Sequence, residues 1–173
     1  MSQSVLAVQY VLSNEGGFSD NPSDPGGATK FGISLRFLQS ISPSSKTLSD
    51  IEDLTLIDAQ TIYETNFWDP IYNLIESQQI ANYIFDMTVN MGSSISHKIV
   101  QQAICSVTCN RQLMPDDGIF GSRTLSDVNQ HSQYIIYPIR AIRADHYKLL
   151  VANNPNLGVF LTGWLNRTYQ TGI

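Results

Sequence analysis

Residues 15–33 read Glu15-Gly16-Gly17-Phe18-Ser19-Asp20-Asn21-Pro22-Ser23-Asp24-Pro25-Gly26-Gly27-Ala28-Thr29-Lys30-Phe31-Gly32-Ile33. Upstream, residues 3–14 place Val5, Val8 and Leu12 on one face at helical spacing, with Leu6 and Val11 flanking. Gly16-Gly17 ends such a helix and leaves Glu15 in its last turn. The Gly- and Pro-rich loop that follows has a restricted, unusual backbone and carries two aspartates and a threonine. The stretch is therefore a helix end feeding an acidic loop, and Phe31-Gly32-Ile33 is expected to be a short extended piece.

Downstream, helix signals dominate. Ser34 caps a short helix over 35–41, and 42–49 reads as a polar connection. Thr55-Leu56-Ile57-Asp58 resembles a capping box that opens a helix running to about Trp68, with Pro70 as its stop. Residues 78–91 carry Ile80, Ile84, Met87 and Met91 toward a core, and Gly92 ends that helix. A second helical region starts near Ser96, with Ile99, Val100, Ala103, Ile104 and Val107 on its apolar face. A turn-rich segment from Arg111 to Gly121, a short helix over 122–129 and a long one over 132–152 come next. Pro138 lies near the start of the long helix or at a kink in it. Residues 157–170 bring Phe160, Leu161, Trp164 and Leu165 to close the core. No strand run competes in length, so the expected class is all-α.

Composition limits the options. The chain has 173 residues, enough for one compact domain or two tightly packed lobes. Residues 1–96 hold three Lys/Arg against eleven Asp/Glu, a balance of −8, and residues 97–173 hold seven against four, a balance of +3. An acidic protein is a poor nucleic-acid binder, whereas the basic C-terminal part suits either an ordinary solvated surface or an anionic polymer. No apolar run approaches the roughly 20 residues of a membrane span. Met1 to Asn14 lacks the basic start and small-residue cleavage site of a secretory signal, which points to synthesis in the cytoplasm. Cys105 and Cys109, at i, i+4 spacing, read as two reduced, buried thiols. His97, His131 and His146 form no metal signature with them, and no cofactor is implied.

Glu15, Asp20 and Asp24 put three carboxyls within ten residues. The negative end of a helix raises the pKa of a carboxylate there, as a general acid requires. Glycoside hydrolysis needs such an acid and usually a second carboxylate. Thr29, which both donates and accepts hydrogen bonds, suits the holding of an attacking water. Taken alone, Asp20 and Asp24 also read as turn formers.

Three motifs, in order, resemble glycoside hydrolase family 108: Glu15-Gly-Gly-Phe18, Asp24-Pro-Gly-Gly-Ala-Thr-Lys-Phe-Gly-Ile33 and Asp86-Met-Thr-Val-Asn90-Met-Gly92. The family contains phage endolysin-type muramidases and relatives used to export proteins through the cell wall, one of them linked to typhoid toxin secretion. Asp117-Gly-Ile-Phe-Gly-Ser-Arg-Thr124 and Gly163-Trp-Leu-Asn-Arg167 resemble the family's C-terminal wall-binding part. The resemblance implies a lysozyme-like catalytic lobe over 1–93, packed with a helical peptidoglycan-binding part over 94–173. It implies that Glu15 is the general acid cutting the β-1,4 bond from N-acetylmuramic acid to N-acetylglucosamine. Asp24 ranks second as a catalytic group and Asp20 third. More remotely, phage lysozymes carry Glu, eight residues, Asp, five residues, Thr. Here the second gap is four residues, which separates Thr29 from that pattern.

Asn90 reads equally as a ligand for a substrate acetamido or hydroxyl group and as a brace for its helix. Trp68 and Tyr72 suit either sugar stacking or a core. Arg140, Arg143 and Tyr147, at helical spacing, form either an exposed basic-aromatic strip for stem-peptide carboxylates or a solvated helix face. A wall enzyme without a signal peptide needs a holin-type pore or a dedicated exporter to act in the periplasm or cell wall, and no membrane insertion of its own. The rivals are a stem-peptide amidase or peptidase, which needs a zinc site or a Cys-His pair, a wall-binding module without activity, and a chitinase-like enzyme.

Overall fold

The computed structural model describes residues 1–14, 17–19, 27–42, 44–109 and 116–170. Glu15, Asp20 and Asp24 lie outside the described residues. Within them, helices are α1 (Ser4–Asn14), α2 (Leu35–Ile41), α3 (Leu48–Glu52), α4 (Leu56–Phe67), α5 (Gln78–Met91), α6 (Ser93–Thr108), α7 (Ser122–Gln130), α8 (Ile136–Asn153) and α9 (Gly158–Tyr169). Short 3₁₀ turns occupy Pro70–Leu74 and Pro155–Leu157. The all-α class holds, with one small addition: β1 (Thr29–Lys30) pairs antiparallel with β2 (Ile33–Ser34).

The architecture forms around α5. Every residue from Ile80 to Thr88 is buried, so this helix is enclosed on all sides, not on one stripe. Helix α1 packs on it from one side and α6 from another, with α4 also in contact, while α8 lies against α6 and α9 against α8. The three buried polar residues of α5 are each partnered. Gln78 Nε2 donates to Asn82 Oδ1 at 2.7 Å, Thr88 Oγ1 to the Ile84 carbonyl at 2.9 Å, and Asp86 accepts from arginines described below. A single cluster of buried hydrophobics runs from Ala7 to Ile139 across Gly92.

Several local expectations need correction. On α1 the buried residues are Ala7, Val8, Tyr10 and Val11; Val5 and Leu6 face solvent, because the side toward α4 and α5 begins at Ala7. The 42–49 connection leads into α3, whose start is fixed by the Thr47 N–H donating to Asp50 Oδ2 at 2.8 Å. Helix α6 begins at Ser93, and Gly92, at φ 86° and ψ 154°, joins it to α5 with no loop between. Pro138 sits in the first turn of α8, where its missing N–H costs no helical bond. Helix α9 does not close the core. It rests mainly on α8, leaving Phe160 exposed and Leu161, Trp164 and Leu165 half-buried. Cys105 is half-buried and Cys109 exposed, since Cys109 leaves α6 in a left-handed conformation, φ 54°.

The 3₁₀ turn at Pro70–Leu74 brings Tyr72 into the core, where its ring meets Trp68, His97 and Phe120 edge-on. Phe120, 5% exposed, anchors the Asp117–Gly121 turn. Gln101 clamps that turn, accepting from the Gly118 N–H at 2.9 Å and donating to Asp117 Oδ1 at 2.7 Å.

Candidate active-site cleft

Two strands of two residues need a tight turn, and Phe31-Gly32 provides it with φ of 54° and 76°. Both central residues are left-handed, which matches the twist of a hairpin. A left-handed Phe is uncommon, and its carbonyl accepts from Tyr63 Oη at 2.9 Å. The hairpin fixes Thr29. Its backbone exchanges two 2.8 Å bonds with Ser19, and its hydroxyl donates to the Gly27 carbonyl at 3.2 Å. The Thr29 oxygen keeps lone pairs available to a water.

An open cleft of about 1000 Å³ lies where α1 ends. Ser13 and Asn14, the two residues preceding Glu15 in the sequence, line one side; Trp164, Arg167, Tyr169 and Gln170 of the C-terminal segment line the other, with Asn90 also in the wall. Residues from both ends of the chain thus meet in one cavity.

Beneath Asn90 is a buried polar network that the sequence reading did not anticipate. Asp86 and Asn90 are one turn apart on α5, and Arg143 and Tyr147 are one turn apart on α8. They pair in register: Arg143 Nη2 lies 2.8 Å from Asp86 Oδ2, and Tyr147 Oη donates to Asn90 Oδ1 at 2.5 Å. Arg143 Nε donates to Tyr147 Oη at 3.2 Å. Arg167 Nε reaches the other Asp86 oxygen at 2.9 Å. Asp86 and Arg143 are both 0% exposed. The Arg143 guanidinium also lies 5.1 Å from the Tyr83 ring, a cation–π distance. Burial alone would lower the Arg143 pKa, but Asp86, Tyr147 and Tyr83 outweigh it and keep the cation charged. Burial pushes the Tyr83 hydroxyl up to about 12, and it donates to the Thr168 carbonyl at 2.5 Å. Burial likewise raises Tyr147, so it remains a proton donor.

This placement corrects the exposed basic-aromatic strip. Arg143 and Tyr147 point inward, drawn by Asp86 and Asn90, and Tyr147 stacks on Trp164 with centroids 4.9 Å apart. Arg140 donates to the Gln170 carbonyl at 3.1 Å and holds the end of α9. Tyr72 is likewise no sugar platform, being enclosed by aromatic neighbours with its hydroxyl 2.5 Å from His97 Nε2. Trp68 is half-buried, donates to Asn73 Oδ1 at 3.2 Å, and lines a smaller pocket of about 500 Å³ with Asp69, Thr88 and Ser93. A signal for the missed network existed in the two i, i+4 pairs, but one sequence cannot show that they face each other. Among the described residues, no three His, Cys, Asp or Glu side chains gather as metal ligands would. None of the described helices is long and apolar enough to cross a membrane.

Residues 8–92 match the glycosyl hydrolase 108 family. Over those residues the chain is similar to that family. The matched region runs from inside α1 to Gly92 and contains Glu15, Thr29 and Asn90. A solved structure of SagA from Brucella abortus is similar at 25% identity and a TM-score of 0.74, spanning 95% of this chain and 88% of that one. The likeness therefore extends beyond the glycosyl hydrolase 108 region, through the helices that complete the cleft. No curated protein sequence matches the chain.

Proposed function

We propose that this chain is a glycosyl hydrolase 108 member and an N-acetylmuramidase, cutting the β-1,4 bond between N-acetylmuramic acid and N-acetylglucosamine in peptidoglycan. The observation that carries the reading is the family match over 8–92, which includes Glu15 next to two residues lining a large open cleft. In this reading Glu15 protonates the leaving oxygen. Asp24, or after it Asp20, supplies the second carboxylate, and Thr29 holds a water with the lone pairs left free by Gly27. Asn90 binds the glycan, and Trp68 gives an aromatic wall to a neighbouring pocket. Residues 1–93 carry the cutting groups, and 94–173 recognise the wall. The enzyme opens the wall for lysis or protein export, reaching it through a holin-type pore or a dedicated exporter.

Digestion of purified peptidoglycan by the unmodified chain and by Glu15→Gln, with mass spectrometry of the fragments, tests this. The expected products end in reducible muramic acid, and the variant loses them by at least about a hundredfold, the contribution of a general acid. Intact glycan with cut peptides would move the chain to the amidase or peptidase class.

A further inference from the structure

The orientation of the Asn90 amide follows from proton counting. Tyr147 Oη has one hydrogen. Arg143 Nε can only donate, so it takes a lone pair of that oxygen and leaves the hydrogen free. The hydrogen needs an acceptor, and Asn90 supplies one at 2.5 Å. With the amide reversed, Nδ2 and Arg143 would both donate to Oη and the Tyr147 hydrogen would have no partner. The Asn90 oxygen therefore points inward and Nδ2 outward. Asn90 is exposed and lines the cleft, and among the described residues its Nδ2 makes no hydrogen bond. Tyr147, 2% exposed, and Arg143, fully buried and tied to Asp86, are rigid supports for this arrangement.

We infer that Asn90 is a donor-only ligand for the carbonyl oxygen of a substrate 2-acetamido group, and that Tyr147 and Arg143 are positioning residues that fix its polarity. The inference rests on the glycan-cutting reading and makes it more specific. A hydroxyl would accept this N–H too, but it can also be served by an acceptor, whereas a carbonyl oxygen only accepts. At Asn90 the wall offers a donor and no acceptor, which favours the latter.

Asn90→Asp separates this role from a structural one. Aspartate keeps an oxygen for Tyr147 but turns the cleft-facing group from donor to acceptor. The test compares hydrolysis of native peptidoglycan with the same material chemically de-N-acetylated, by release of reducing ends. For Asn90→Asp and Asn90→Ala, KM on native wall is expected to rise about tenfold with kcat little changed, the loss of one hydrogen bond. On de-N-acetylated wall, both variants are expected to match the unmodified chain. Tyr147→Phe keeps the ring stacked on Trp164 and frees the amide to turn, so a smaller rise of the same kind is expected. A near-normal Asn90→Asp beside an impaired Asn90→Ala would make Asn90 a brace for Tyr147 and overturn the inference. So would an equal loss on both substrates. No reducing ends from the unmodified chain on either wall would remove the glycan-cutting reading itself, and this inference with it.

Discussion

Asp86 is shared by Arg143 and Arg167 in a place water does not reach. Replacing such a pair by apolar groups is often neutral, but removing one partner leaves an uncompensated buried charge. Asp86→Ala is therefore expected to cost about 3–5 kcal/mol, measured by urea unfolding. Glycines give a second contrast at this scale. A Cβ on Gly118, at φ 75°, would lie 2.9 Å from both the carbonyl oxygen and the hydroxyl of Ser94. A Cβ on Gly92, at φ 86°, would meet nothing within 4 Å. Gly92→Ala should then cost only backbone strain, about 1–3 kcal/mol, whereas Gly118→Ala adds to its own backbone strain the displacement of Ser94. Equal midpoint shifts in denaturant would contradict the steric part of this account. Neither distinction was legible in the sequence. It marks a glycine as a turn residue, but not what stands beside it, and it shows Asp86 only as one residue in a motif.

At the scale of elements, the Pro70–Leu74 turn, α6 and the Asp117–Gly121 turn are joined through His97. Its Nδ1 is 3.0 Å from the Gly118 carbonyl and its Nε2 is 2.5 Å from Tyr72 Oη. The carbonyl can only accept, so Nδ1 carries the hydrogen and Nε2 accepts from Tyr72. Burial lowers the His97 pKa below its usual value, with the Gly118 carbonyl and Asp69 opposing. The folded form therefore resists a proton that the unfolded chain accepts at about pH 6.5. Stability from this group is complete above that pH and is lost as pH falls through 6.5 toward the lower folded value. The thermal midpoint should fall over that window, and His97→Gln should flatten this part of the profile. Most helices were legible at this scale, because caps and spacing are local: the Thr55–Asp58 box and the Gly92 stop stand where the sequence puts them. The hairpin was not, since a left-handed Phe31 contradicts its own propensity and is held by Tyr63 from 32 positions away. Nor was the inward face of Arg143, because a charged residue at helical spacing looks the same whether it meets water or a buried aspartate.

For the molecule as a whole, the question is whether residues 1–93 stand alone. The hydrophobic cluster does not divide at Gly92: Ile99, Val100, Ala103 and Ile104 of α6 and Ile135, Ile136 and Ile139 around the start of α8 join the same core as α1 and α5. Cutting after residue 93 would uncover the α6 side of a helix whose residues from Ile80 to Thr88 are all buried. It would also remove both arginines that face Asp86 and the His97 that accepts the Tyr72 hydrogen bond. A buried carboxylate without its cations and a wide apolar face both disfavour the folded state, and stability of the whole chain is only on the order of 5–15 kcal/mol. The 1–93 fragment is therefore expected to aggregate or to lack a cooperative thermal transition, although it holds the family's matched residues. The full chain is expected to melt in one transition, with calorimetric and van't Hoff enthalpies equal. Two separated transitions, or a 1–93 fragment that melts cooperatively, would mean that the cleft is built between independent folding units. A single transition would mean that the residues which cut and those which complete the cleft are held by one core, so that damage to α8 reaches Asn90 through the fold as well as through Tyr147.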